Sequence, residues 1–296
     1  MRARAATRRQ AVKTNATINE MLARRSIRKY ETRMPEDDVI EAVVRAGQQA
    51  PFAGQLGSVL LKRRPPVDES EAGAPRAPKQ SAPPSGIPWN APLLFTICID
   101  MHRMELVMEK RGWRTRAHDL NMLLFGVQDA ILMSENMVMA AESLGMGSCF
   151  LGGAPFRSER IIEEYGLPKR VFPVVQLTMG YPAEDPPPRP RYPLSFHLFE
   201  ERYPDFTDDD IEAAMKQMDD GYLEEDYYRT LGAKIKLDDA REETFTFDDY
   251  SWTEHMCRKW GQWLDDAEPL LEQLEKCGFE LRRMGEGMGT DENAPD

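Results

Sequence analysis

Near the start of the chain, Arg24-Arg25-Ser26-Ile27-Arg28 sets three guanidinium groups and a hydroxyl within five residues, at what reads as a helix-to-strand junction. A guanidinium meets oxyanions bidentately and a serine adds a donor, so the cluster suits a phosphate. Taken alone it is more simply a solvated basic edge. Arg189-Pro190-Arg191 repeats the theme on a proline-stiffened loop and is weak by itself. Gly145-Met146-Gly147 and Gly152-Gly153 flank a short apolar strand, Ser148 to Leu151. Glycines there let a ligand lie against the backbone, where amide N–H groups make the contacts. Turn chemistry is the alternative, and the spacing is not a GxGxxG dinucleotide fingerprint.

Other chemistries are poorly represented. His102, His118, His197 and His255 show no metal-ligand spacing, and His255-Met256-Cys257 reads as packing on a helix. No GxSxG elbow occurs. Cys149 has apolar neighbours and reads as an inert buried thiol. The sequence therefore presents no protein nucleophile and no metal centre.

The elements that must carry these residues are legible from patterning. The longest spans Asp119 to Leu144, with Asp119 as expected N-cap and Gly145 as the residue beyond its C-cap. Its polar residues recur seven apart, at Asn121, Gln128, Glu135 and Glu142, with Asp129, Asn136 and Ser143 beside them. So narrow a polar stripe predicts burial on more than one side. At 1.5 Å per residue the helix spans roughly 39 Å, which suits either an element shared between two subunits or the core of a monomer. Thr17-Ile18-Asn19-Glu20 predicts a capping box and a short helix that carries Met21 and Leu22 inward and ends near Arg25. Pro35 is expected at the first position of a second helix, whose buried face is Ile40, Val43 and Val44 and which stops at Pro51. Ser58 to Lys62, Leu93 to Ile99 and Val171 to Met179 read as strands. The last two are continuously apolar, so helices should cover a central sheet on both faces.

Residues 63–92 read as a proline-rich loop; eight of the 22 prolines lie between Pro65 and Pro92. Residues 1–16 are a basic, acid-free tail read as disordered, and 17–199 the core. Residues 200–296 are an acidic helical extension, with helices around Asp208 to Tyr228 and from Thr253 to Cys277, the latter interrupted near Pro269. Trp252, Trp260 and Trp263 should dock that extension on the core or on a partner subunit. The net charge of −12 argues against nucleic acid as a partner. No apolar run reaches membrane-spanning length. Four cysteines without a paired framework fit reduced thiols and a cytoplasmic location.

In order and spacing, Arg25-Ser26-Ile27-Arg28, Ala140-Ala-Glu-Ser-Leu-Gly-Met-Gly147, Leu151-Gly-Gly153, Gly180-Tyr-Pro-Ala-Glu-Asp-Pro186 with Arg189-Pro-Arg191, and Trp252-Thr-Glu-His255 resemble the FMN-dependent nitroreductase family. The closer resemblance is to its oxygen-insensitive NADPH nitroreductase and NADPH-flavin oxidoreductase branch, over roughly residues 18–281. It implies an α+β fold with a central, mostly antiparallel sheet flanked by helices, and an intertwined homodimer with the long helix at the interface. By the same resemblance Arg24, Arg25, Ser26, Arg189 and Arg191 would hold the FMN phosphate and nearby ribityl chain. Arg28 would lie toward the pyrimidine edge, Gln55 would contact the ring or ribityl chain, and backbone groups of Leu151, Gly152 and Gly153 would face the isoalloxazine. Arg229, Lys234 and Lys236 are candidates for the NADPH phosphate.

The implied activity is ping-pong transfer of two electrons from NADPH or NADH through flavin N5 to a small-molecule acceptor, a nitroaromatic, quinone or flavin. Two alternatives remain at this level: a flavin-binding or scaffolding protein without turnover, and a specialised flavin-cleaving or reductive dehalogenating member. The sequence departs from the branch in three places. Arg24 stands where a histidine is usual, Pro51-Phe-Ala-Gly-Gln55 replaces a serine-rich segment, and the proline-rich loop has no recognised counterpart.

Overall fold

The computed structural model describes residues 13–64, 90–238, 241–262 and 266–281. Two compact units result. One comprises the chain up to Pro186 together with the segment from Ala267, and the other is Pro187–Asp266. The basic tail up to residue 12, nearly all of the proline-rich loop and Trp263 lie outside the described residues.

The first unit is built on a sheet of β1 (Gly57–Arg63), β2 (Leu93–Asp100), β3 (Gly147–Leu151) and β4 (Val171–Gly180), in the order β1-β2-β4-β3 with every neighbouring pair antiparallel. Every residue of β2 is buried, as its unbroken apolar run predicts for a central strand. Helices α1 (Ala16–Ala23), α2 (Asp37–Gln48), α3 (His102–Lys110), α4 (Asp119–Ser143), α5 (Ser158–Tyr165) and α9 (Glu268–Lys276) complete this unit. The main core joins Ile40 and Val43 of α2, Ala130, Met137 and Ala141 of α4, and Phe95, Ile97 and Leu177 of the sheet. Gly126 and Gly47 let helices of this unit approach their neighbours closely. A Cβ on the first would meet Ile99 Cγ2 at 2.4 Å, and one on the second Met137 Cγ at 2.6 Å.

Several local expectations are corrected. Asn15, not Thr17, caps α1 by accepting from the Ile18 N–H at 2.8 Å, and Met21 and Leu22 are exposed rather than turned inward. Glu36 caps α2, so Pro35 precedes the helix instead of opening it. His118 Nδ1 caps α4. Asp119 cannot do so, because its carboxylate is already engaged: Arg170 donates to both oxygens at 2.8 and 2.7 Å, and the Glu280 N–H adds a third bond at 2.6 Å. Gly145, at φ 78°, follows the C-cap as expected. The apolar side of α4 that does not face the sheet stays open, with Leu120, Leu124, Phe125, Ile131 and Leu132 exposed.

Arg170 gathers several elements. It also donates to Glu105 of α3 at 2.7 Å and to the Gly278 carbonyl at 2.9 Å, and lies over the Phe279 ring. The second unit contains α6 (Asp208–Glu224), α7 (Tyr227–Leu231) and α8 (Trp252–Gln262). Thr207 and Asp210 form a capping box on α6, and Met218, Tyr222, Tyr228 and Tyr250 make the core. The last helix, expected with an interruption near Pro269, is two helices, α8 and α9, assigned to different units. Trp252 packs edge-on against Tyr192 at 5.5 Å, whereas Trp260 is 64% exposed.

The buried Asp119–Arg170 pair sets a pH dependence. Burial alone would raise the Asp119 carboxyl, but the Arg170 guanidinium and the Glu280 N–H outweigh it and hold the group below its ordinary value. A depressed carboxyl contributes stability that is present above about pH 3.9, the unfolded value, and is lost as pH falls through the folded one. Arg170→Ala should lower the unfolding free energy by about 3–5 kcal/mol at neutral pH. Denaturant titrations should show that deficit shrinking as the pH falls from the variant's folded carboxyl value towards the depressed native one.

Candidate functional site

The arginine cluster forms where α1 ends. Arg24 is its C-cap, with ψ 132° turning the chain extended. Ser26 then bridges Ser148 of β3, and the Ile27 N–H donates to the Ser148 carbonyl at 2.8 Å. Gly147 makes this approach possible, since a Cβ there would stand 2.4 Å from Ile27 Cγ1. The Gly180 to Pro186 motif holds the other side. Glu184 accepts the backbone N–H groups of Arg28 and Lys29, and Asp185 pairs with Arg25. Arg24, Arg25 and Ser26 are half-buried and Arg28 is exposed. Arg24 lies over the Phe150 ring at 5.6 Å.

A cleft of about 270 Å³ opens here, lined by Glu20, Arg24, Arg25, Glu142, Met146 and Gly147 among others. Arg25 donates to the Ala23 carbonyl at 3.0 Å and to Asp185, but its Nε is buried without a partner. A buried guanidinium donor left unmet is costly, and a phosphate oxygen is an acceptor that would satisfy it. On this observation the residues fit a phosphorylated group. Beyond β3, a Cβ on Gly152 would meet nothing within 4 Å, while Gly153 approaches Arg157, which donates to the Gly153 carbonyl at 3.2 Å. The backbone at Gly152 therefore offers an open face. Burial pushes the Cys149 thiol up, against the formation of a nucleophilic thiolate.

Gln55 is elsewhere in this unit. It lines a cavity of about 320 Å³ with Pro51, Phe52, Gln48, Arg103 and Met133, none of which borders the arginine cleft. Among the described residues these two sets line separate cavities.

Arg189 and Arg191 belong to the second unit. Arg189 pairs with Glu225 and lies 4.0 Å over the Tyr227 ring. Arg191 donates to the carbonyls of Arg189 and Pro190 at 3.1 and 2.9 Å. Arg229 pairs with Asp226 and Asp248, and Lys234 donates to the Phe245 carbonyl and faces Glu243 at 3.3 Å. Lys236 is exposed. Of the three candidates for the nucleotide phosphate, two already face internal carboxylates.

Three residues in these cavities were not singled out for a role by sequence patterning: Glu142, Asp129 and Arg103. The signal for the first two was present as acids on a mostly apolar helix. Arg103 carried no signal, because only the fold brings α3 to the segment before β1. Among the described residues no cluster of His, Cys, Asp and Glu could hold a metal ion, and no helix is long and apolar enough to cross a membrane.

Burial raises Glu142 to about 7; Glu135 and Glu20 push the same way, while Arg24 and Arg25 oppose the shift. An acid whose folded value is raised contributes stability that is full below the unfolded value, about 4.3, and is lost as pH rises through the folded one. In the flavin-free protein Glu142→Gln should therefore raise the melting temperature at pH 8 and leave it nearly unchanged at pH 4. Thermal melts at the two pH values check this, and an equal effect at both would contradict it.

Comparison with known proteins identifies the family. A model of the Nitroreductase family matches residues 21–181. A Cr(VI) reductase of Pseudomonas sp. (strain G-1) is 28% identical over 233 residues, covering 78% of this chain and 91% of that protein. An NADPH-flavin oxidoreductase of Vibrio harveyi is 28% identical over 223 residues, covering 75% and 87%. Among solved structures, NfrA2 of B. megaterium superposes with a TM-score of 0.71 at 25% identity, covering 91% of this chain and all of that one. The match spans more than half of the chain and runs from the arginine cluster through the glycine turn to β4, so this protein belongs to the nitroreductase family.

Proposed function

We propose that this protein is an FMN-dependent NAD(P)H oxidoreductase that reduces small acceptors, nitroaromatics, quinones or flavins, by a ping-pong mechanism. The observation that carries the reading is the cleft at the end of α1, which Arg24 and Arg25 line and where Arg25 keeps a buried donor unmet. Family membership and relatives such as the NADPH-flavin oxidoreductase support it. Bound FMN would supply reversible two-electron chemistry at N5, accepting hydride from the nicotinamide and returning it to the acceptor.

The chain's own residues hold and orient. Arg24, Arg25 and Ser26 would take the phosphate. Arg28 would lie toward the pyrimidine edge, and the backbone at Leu151, Gly152 and Gly153, open at Gly152, would lie against the ring. Lys236, whose side chain is exposed, is the best placed of the nucleotide candidates for a 2′-phosphate, since Arg229 and Lys234 face carboxylates.

A homodimer is part of the proposal. The exposed apolar side of α4, from Leu120 to Leu132, is larger than scattered surface hydrophobics require. Gln55 and the arginine cleft occupy separate cavities of the protomer, and a two-fold axis along α4 would allow one subunit's Gln55 to serve the other's cleft. A cytoplasmic location, with its supply of reduced nicotinamide, completes the reading.

The test separates phosphate recognition from ring binding. Arg25→Ala should weaken FMN binding by about 10- to 100-fold, the range for a hydrogen bond to a charged group, and leave riboflavin, which lacks the phosphate, nearly unaffected. Equal losses for both flavins in a fluorescence titration would remove the phosphate from this cleft.

A further inference from the structure

The segment before β1 is clamped from two sides. Asp129, 4% exposed on α4, accepts three of its backbone N–H groups: Oδ1 takes Ala53 at 2.6 Å, and Oδ2 takes Gly54 at 3.0 Å and Leu56 at 2.9 Å. From α3, Arg103 donates through Nη2 to the Gln55 carbonyl at 3.3 Å and to the Gly57 carbonyl. Its Nε pairs with the buried Asp100 at 2.7 Å, and the Asp100 N–H donates to the Leu56 carbonyl at 2.6 Å. An acceptor on one side and a donor on the other thus hold the segment by its backbone alone.

What the clamp holds is a strained residue. Gln55 has φ 51°, in the left-handed region that a non-glycine side chain seldom occupies. Glycine would serve a merely structural turn at lower cost. The backbone bonds leave the side chain outside: Leu56 is fully buried beneath, while Gln55 is exposed at the cavity that Phe52 also lines. Among the described residues no hydrogen bond engages its amide. A strained residue with its polar end unused is the arrangement expected where the side chain serves a ligand.

We propose that Asp129 and Arg103 are positioning residues that fix Gln55 in this conformation so that its amide is presented to the flavin. The inference rests on the FMN reading above and adds to it residues that do not touch the cofactor themselves. An amide offers one donor group and one acceptor, which suits both the alternating polar edge of a flavin and its ribityl hydroxyls. Asp129 is suited to the task because only a carboxylate can accept on both oxygens. Asn at this position keeps the volume but turns an NH2 group toward backbone N–H donors.

The experiment is a double-mutant cycle on FMN affinity, read by flavin fluorescence, with the visible circular dichroism of the bound flavin as a second signal. Asp129→Asn and Gln55→Ala should each raise the dissociation constant about tenfold, one hydrogen bond's worth, and alter the dichroism. The double variant should bind about as well as either single one, because both remove the same presented amide. Gln55→Gly guards against a misfolded Asp129 variant. It should raise the melting temperature by relieving the left-handed strain and still lose FMN affinity. Additive losses, unchanged affinity in Asp129→Asn, or full affinity in Gln55→Gly would each overturn the clamp. A wild-type protein that takes up no FMN would overturn the FMN reading and the clamp together, whereas wild-type binding with unaffected variants would remove the clamp alone.

Discussion

A carboxylate buried beneath a helix is tolerated only when its lone pairs are met, and α4 carries two such groups on the side that faces the body of its unit. Asp119 and Asp129 are both buried. The first is met by a guanidinium, the second by three backbone N–H groups. These solutions have different consequences. Arg170 draws the start of β4, α3 and the chain after α9 to one point, which fixes the helix at its N-terminal end. Asp129 shapes the loop before β1 and leaves a glutamine exposed in a conformation the chain would not otherwise choose. Breaking either leaves an uncompensated buried charge, which costs far more than an exposed ion pair contributes.

The arginine cleft follows the opposite rule. There the protein leaves groups unmet: the Nε of Arg25 is buried without a partner, and Glu142 is held where its charge is disfavoured. The segment that carries the arginines is nevertheless firmly placed, by the strand contact that Gly147 permits and by Glu184 and Asp185. A rigid frame around unsatisfied donors is what an anion site requires, since the ligand then supplies the missing acceptors without further ordering of the chain.

Much of this was legible in the residues. Unbroken apolar runs identified β2 and β4 because both faces of a covered strand must be apolar, and the length and narrow polar stripe of α4 marked it as the organising helix. Local rules failed where tertiary partners intervened. Asp119 has the composition of an N-cap, yet Arg170 takes its oxygens and His118 caps in its place. Met21 and Leu22 are apolar yet exposed, because an apolar side chain in a short helix does not by itself specify a partner to cover it. Arg229 and Lys234 read as available cations. Asp248 and Glu243, which face them, come from a later loop that no periodicity connects to them. The role of Asp129 was hidden for the same reason: its partners lie in a loop distant in sequence.

The central claim is that electrons pass from a nicotinamide to FMN held by this chain. An anaerobic titration of the purified, FMN-loaded protein with NADPH and then NADH, followed in the visible spectrum, tests it most directly. The account predicts a yellow protein whose flavin absorbance bleaches stoichiometrically with at least one donor and returns when a quinone is added. Bound flavin that neither nucleotide reduces, or a protein that rejects FMN, would contradict it.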